Sequence, residues 1–256
     1  MRIEIHLVDH CNLNCKYCSH FSSISDEWYL DPDQFDKDLS SINSKILNSF
    51  TLVKLLGGEP LLHPRIIDII KILRKYYHND VCITTNGILL KKMSKEFYDC
   101  CRENDIVIKY TEYPIGIDYE QLSKKIWDEH KVRMTKARPN ALFTYKTYDL
   151  SGSLRFRTQF RRCNGHHPMD CMQLCGTKLF YCYRIPYIDI FNKKFGTNIT
   201  IDEKDYIDLS NVSSIKEIKS YRNTPKPFCR YCNLFRGNGT LQYEFQKSTG
   251  TIDEWA

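Results

Sequence analysis

The 256-residue chain carries 37 basic and 31 acidic residues, a net charge of +6, and 42% of its residues are hydrophobic. That length suits one large domain, or one domain with a small appendage, and the 13% aromatic content at modest charge excludes a disordered chain. Twelve cysteines are too few in so long a chain for a small disulfide scaffold, and no apolar run approaches the roughly 18 residues of a membrane span.

The N-terminus, MRIEIHLVDHC, reads as a strand rather than a signal peptide, which predicts a cytoplasmic protein with reduced thiols. Residues 2–8 alternate with period two. Residues 31–49 predict a helix: Asp31-Pro32 supplies an N-cap and a first-turn proline, and Phe35, Leu39, Ile42, Ile46 and Leu47 step by three and four. Residues 51–56 are a strand, 64–77 a helix with a wide isoleucine face, 81–85 a strand and 94–103 a helix. The strand 105–110, the helix 119–130 and the strand 131–135 continue the alternation. Strands alternating with helices indicate βαβ units and a parallel sheet. The alternation fades near residue 145, short of the roughly 250 residues of a complete eight-stranded barrel, so a partial, open barrel of five or six units is predicted over residues 1–150. From 151 to 256 the texture changes to short β-like pieces (154–156, 179–182), helices at 188–195 and 213–221, and six cysteines. Such a segment has little apolar core, and metal ligation would supply the missing folding energy.

Cys11, Cys15 and Cys18 are spaced by three and then two residues, directly after the first strand, at the expected C-terminal mouth of the barrel. Three thiolates on a short loop suit a [4Fe–4S] cluster whose fourth iron stays open to an exogenous ligand. A tetrahedral zinc site is the alternative and needs a fourth donor such as His10 or His20. Gly57-Gly58-Glu59-Pro60 follows the second strand and Thr85-Asn86-Gly87 ends the third.

With these three motifs in order, each at the end of a strand, residues 1–135 resemble the radical S-adenosylmethionine (radical SAM) superfamily. The resemblance implies a TIM-like barrel, a [4Fe–4S] cluster on Cys11, Cys15 and Cys18, and SAM on its open iron. It further implies that Tyr17 lies against the adenine. Gly57, Gly58 and Glu59 would hold the methionyl amino group, and Thr85 or Asn86 the ribose. The chemistry implied is reductive cleavage of SAM, followed by hydrogen abstraction from substrate.

Cys163, Cys171, Cys175, Cys182, Cys229 and Cys232 remain. A redox-active reading of the Cys229-Arg230-Tyr231-Cys232 pair wants a helix start that Pro225, Pro227 and Asn233 do not provide, so two cysteine groups closing on one metal site are favoured. The pattern resembles the twitch domain, the shortened SPASM extension of some radical SAM enzymes, a small α+β unit holding one auxiliary [4Fe–4S] cluster. On that resemblance residues 174–182 form a hairpin with Gly176 in its turn, and Cys182, Cys229 and Cys232 are ligands. The first ligand is open between Cys163 and Cys171; Cys175 falls in the turn and is set aside. Full ligation leaves no open iron and favours electron transfer.

Leu154-Arg155-Phe156-Arg157, with Arg161 and Arg162 behind, reads as a basic strand face, solvated rather than anion-binding. Cys82, Cys100 and Cys101 read as core, His166-His167 as a surface loop, and Lys109, Tyr110 and Glu112 as residues at a strand end that face substrate or solvent with equal weight. The charge is too modest and too dispersed for nucleic acid. The short stretch before Cys11 argues against a leader-dependent peptide substrate unless a separate protein supplies recognition. The expected function is a radical SAM enzyme that oxidises or forms a bond on a small molecule or peptide and draws electrons from a reductant such as flavodoxin or ferredoxin. Epimerisation, and a non-catalytic zinc protein, are the alternatives.

Overall fold

A computed structural model describes residues 1–137, 143–145, 147–164, 171–234 and 241–256; the His166-His167 pair lies outside the described residues. Five strands, β1 (Arg2–His6), β2 (Leu52–Leu56), β3 (Asp80–Thr85), β4 (Ile106–Tyr110) and β5 (Met134–Lys136), pair in parallel in that order. Parallel neighbours require crossovers, supplied here by α1 (Pro32–Ser41), α2 (Ser44–Leu47), α3 (Ile66–Tyr76), α4 (Lys95–Glu103) and α5 (Tyr119–His130).

Alternation along each strand decides what the two faces of the sheet do. Ile3, Ile5, Val53, Leu55, Val81, Ile83, Ile106 and Ile108 are buried with Leu39, Ile69, Leu73, Phe97 and Ile126 from the helices. The opposite face carries Glu4, His6, Lys54, Cys82 and Lys109, with Glu4 opposite Lys54 and Lys54 opposite Cys82 in register. Glu4 and Lys54 form an ion pair at 3.0 Å. The helix-facing side is thus the core, and the other side is a polar wall.

The C-terminal region contributes β6 (Phe143–Tyr145), β7 (Thr147–Tyr148), α6 (Phe156–Asn164), β8 (Cys171–Cys175), β9 (Lys178–Phe180) and α7 (Ile188–Phe195). It then adds β10 (Tyr206–Asp208), α8 (Ile215–Asn223), β11 (Cys232–Asn233) and β12 (Leu241–Tyr243). β8 pairs in parallel with the other edge of β1, from Arg2 opposite Cys171 to Ile5 opposite Leu174. β9 and β10 then add antiparallel, making one eight-stranded sheet in the order β10-β9-β8-β1-β2-β3-β4-β5. Six parallel strands therefore form the partial barrel, and the boundary expected at 150/151 divides the chain without dividing the sheet. Met172, Leu174, Leu179, Leu209 and Ile218 belong to the same core as β1–β5. A second, aromatic cluster of Phe21, Tyr148, Phe180, Phe191, Phe228, Tyr231 and Trp255 holds the rest of the C-terminal region against the loop after β1. The hairpin at 171–180 has a two-residue turn whose first member, Gly176, takes φ 58, as a type II′ turn requires.

Two elements depart from expectation. Residues 154–157 are not a strand, because α6 begins at Phe156. Phe156, Phe160 and Cys163 are spaced by four and three, and that helical period turns Phe160 and Cys163 inward while Arg155, Arg157, Arg161 and Arg162 are exposed. The helix expected over 31–49 is interrupted at Ile42 and Asn43, which are extended; the Asn43 side chain accepts the Lys45 N–H at 2.9 Å and caps α2.

Because Leu174 reaches this shared core from β8, Leu174→Ala should cost about 2–5 kcal/mol. In a urea melt the whole transition should shift as one; a separate early phase, with the rest unmoved, would mean that β8 does not share the β1 core.

Candidate functional site

The end of β1 leads straight into the loop holding Cys11, Cys15 and Cys18, all half-buried. Tyr17 has φ 57, which turns the chain between the second and third thiols, and the Leu13 N–H donates to Cys11 Sγ at 3.3 Å. Burial pushes the Cys11 and Cys15 thiols up to about 12, with neighbouring thiols adding to the shift. They therefore become ligands only by giving up protons to a metal centre. Among the described residues no three Cys, His, Asp or Glu side chains converge on one metal ion. Three thiolates on one short loop are a donor set that fits three corners of a cubane.

The two glycines of the second motif press on that loop. A Cβ on Gly57, at φ 143, would fall 2.5 Å from the Val8 carbonyl and 2.2 Å from the His6 ring, and one on Gly58 would fall 1.9 Å from the His10 carbonyl. Gly58 N–H donates to Val8 O at 2.7 Å and Glu59 N–H to His10 O at 3.1 Å. Glu59 is 1% exposed. Its Oε1 accepts from Leu61 N–H at 3.1 Å and Thr85 Oγ1 at 2.7 Å, and its Oε2 from Asn86 N–H at 2.9 Å. Asn86 in turn donates from Nδ2 to Asn12 Oδ1 at 2.7 Å, and its carbonyl accepts from Tyr119 OH at 2.8 Å. The three motifs are thus one hydrogen-bonded unit at the C-terminal ends of β1, β2 and β3. Glu59 sits inside that unit as a tie between loops, with both carboxylate oxygens engaged by the protein. Burial pushes its carboxyl up to about 7.

Several residues around the triad have no sequence signal. Tyr113, just after β4, hydrogen-bonds Cys15, and its ring centre is 5.5 Å from that of Phe245. A strap from the far end of the chain crosses the loop: Lys16 N–H donates to Gln246 O and Ser248 N–H to Asn14 O, both at 2.9 Å. Asn14 Nδ2 donates to Ser248 O at 3.0 Å, and Trp255 Nε1 to Cys18 O at 3.1 Å. Buried Glu254 accepts from Ser248 Oγ at 2.6 Å and from the Tyr17 N–H. Of the strand-end candidates, Tyr110 stacks on Tyr119 at 4.7 Å and Glu112 pairs with Lys136, while Lys109 lies on the polar wall.

The later cysteines divide. Burial raises the Cys229 thiol, and Cys182, Cys232, Cys163 and Asp205 raise it further, so these three thiols lie within electrostatic reach of Cys229. Cys171 is elsewhere: it lies on the β8 face that meets Glu4 and Lys54, and it hydrogen-bonds both. Cys175 is exposed beside the hairpin turn, and Cys82, Cys100 and Cys101 are buried in the sheet and α4.

Residues 5–119 match the radical SAM superfamily. Its members use a [4Fe–4S] cluster and SAM. The GTP 3′,8-cyclase of Trichodesmium erythraeum is 37% identical over 100 residues, covering 38% of this chain and 30% of that protein. The probable GTP 3′,8-cyclase of Pyrococcus abyssi is 34% identical over 132 residues, covering 52% of this chain and 37% of that protein. The chain therefore spans about a third of the length of the curated relatives it matches. The crystal structure of BtrN in complex with AdoMet and 2-DOIA has the same fold, with TM-score 0.52 and 17% identity over 94% of this chain and 98% of that one. No helix among the described residues is long and apolar enough to cross a membrane.

Glu59 yields a pH test. A carboxyl whose folded pKa is raised from 4.5 to about 7 binds its proton more tightly in the folded state, so its effect on stability is unfavourable as pH rises through that window. Cluster-free protein should lose stability between about pH 4.5 and 7, and Glu59→Gln should flatten that slope while destabilising the fold by about 1–3 kcal/mol through its mismatched donors. Denaturation midpoints across pH decide it; an equal slope in the variant would remove Glu59 from the account.

Proposed function

We propose that the chain is a radical SAM enzyme acting on a polar small molecule, with a second [4Fe–4S] cluster that accepts an electron from the substrate. The observation that carries this reading is the single hydrogen-bonded unit joining the cysteine triad, Gly57-Gly58-Glu59 and Thr85-Asn86. In it Cys11, Cys15 and Cys18 would hold three irons. Gly57 and Gly58 leave the backbone bare beside the loop, and Glu59 keeps the second and third motifs in register. Tyr17 would stack on the adenine, and Thr85 or Asn86 would meet the ribose. With cluster and SAM bound, the chemistry supplied is one-electron cleavage of the sulfonium C–S bond, giving a 5′-deoxyadenosyl radical that takes a hydrogen atom from substrate.

The chain's own contribution to substrate is the polar wall of Glu4, His6, Lys54, Lys109 and Gln173. A site lined by paired ionic and amide groups rejects apolar ligands, which would leave those groups desolvated without partners; this supports a polar substrate and does not distinguish a small molecule from a polar peptide segment. Tyr113 and the strap at residues 246–255 cover the triad loop and limit its contact with water. Cys163, Cys182, Cys229 and Cys232 would ligate the second cluster, and a reductant such as flavodoxin or ferredoxin would supply the electron for SAM cleavage. A second reading, epimerisation, rests on Cys171, whose thiol is held protonated by burial on the polar wall and can return a hydrogen atom. Oxidation leaves a product two hydrogens lighter, whereas epimerisation leaves the mass unchanged.

Cys15→Ala should abolish 5′-deoxyadenosine formation from SAM and dithionite; retained production refutes the triad's role. Anaerobically reconstituted protein should hold about eight irons per chain, two cubanes, and stoichiometric zinc instead would restore the non-catalytic reading. Cys163→Ala and Cys229→Ala should fall to about four irons yet still cleave SAM, while Cys171→Ala keeps about eight. The reverse pattern for Cys163 and Cys171 would exchange their roles.

A further inference from the structure

Two buried cations flank the C-terminal thiols. Arg184, two residues beyond Cys182, is 3% exposed, and its guanidinium carbon is 5.0 Å from the centre of the Tyr148 ring. Tyr148 stands directly opposite Cys232 where β7 pairs with β11, and the guanidinium lies within electrostatic reach of Cys182 and Cys232. Lys226 is fully buried. Its Nζ donates to Tyr221 O and, at 2.6 Å, to Thr224 O, and is 3.8 Å from the centre of the Tyr221 ring. Its own carbonyl accepts the Cys229 N–H at 3.1 Å. The buried carboxylate nearby, Asp205, is engaged by the N–H groups of Phe228 and Asp202, both at 2.8 Å.

Burial makes a cation costly, and negative charge close by offsets that cost. A [4Fe–4S]²⁺ core with four thiolates carries two negative charges, and it becomes more negative on reduction. We propose that Arg184 and Lys226 are the counter-charges of the cluster on Cys163, Cys182, Cys229 and Cys232, and that they raise its reduction potential so that it can accept the substrate's electron. This inference rests on the second cluster proposed above. The two cations approach from different sides, Arg184 by Cys182 and Cys232 and Lys226 by Cys229, so each tunes the cluster separately. In the electron-transfer step, the substrate radical loses one electron to the oxidised cluster and one proton to water, and an oxidised one-electron carrier such as flavodoxin or ferredoxin takes the electron from the cluster and closes the cycle.

The test is an EPR-monitored redox titration of the holoprotein, with iron counted first. Arg184→Gln and Lys226→Met should each lower the midpoint of the second cluster by at least a tenfold change in the reduced-to-oxidised ratio, 59 mV for one electron. The triad cluster should not move, and Arg184→Lys should stay near wild type. Both neutral variants retaining the second cluster at the wild-type midpoint would overturn the inference. If Arg184→Gln fails to load the second cluster, Arg184→Lys decides: loading at the wild-type midpoint supports a charge role, and failure in both variants assigns the guanidinium to packing and overturns it. Wild-type protein with only about four irons would sink the second cluster itself, a failure separable from an unmoved midpoint.

Discussion

A single buried carboxylate organises the site. Glu59 takes three hydrogen bonds, from Leu61, Thr85 and Asn86, at the point where the loops after β2 and β3 meet. The loop after β1 is bound to the same unit by Asn86 and by the backbone of Gly58 and Glu59. Loops at the ends of parallel strands have no ladder to fix them, so their relative positions depend on such ties. A side chain longer or shorter than glutamate would not reach both the Thr85 hydroxyl and the Asn86 amide, and the spacing between the three motifs would no longer be set.

The second constraint is β8 on the free edge of β1. It leaves β1 central, with β2 on one side and β8 on the other. The strand that leads into the triad loop is thereby paired on both edges, the most rigid position in a sheet. Phe21, in the loop that holds the triad, packs into the aromatic cluster of the C-terminal region, so the two regions are joined by a core rather than by a flexible tether.

Much of the sheet was legible because its physics is local. Alternation in residues 2–8, the capped helix at residue 32 and the isoleucine face of α3 each follow from short-range periodicity. The three motifs were legible for the same reason, since each is a run of a few residues. What escaped was the packing between distant segments. The strap over the triad, the tie through Glu59, and the separation of Cys163 from Cys171 all depend on which segments meet in space, and spacing along the chain does not report it. The basic run at 154–157 misled because two alternating arginines mimic a strand, while the helical spacing of Phe156, Phe160 and Cys163 was the stronger constraint.

The strap has a consequence for how the protein comes into being. Asn14 and Ser248 are 234 positions apart, and Cys18 and Trp255 are 237 apart, yet each pair is joined by a hydrogen bond. The triad loop is among the last segments to find its neighbours, because contacts of such separation form late in folding. Until then its thiols lie open to solvent and to oxidants. The shape of the triad loop is therefore a property of the complete fold, reached only when these distant segments have met.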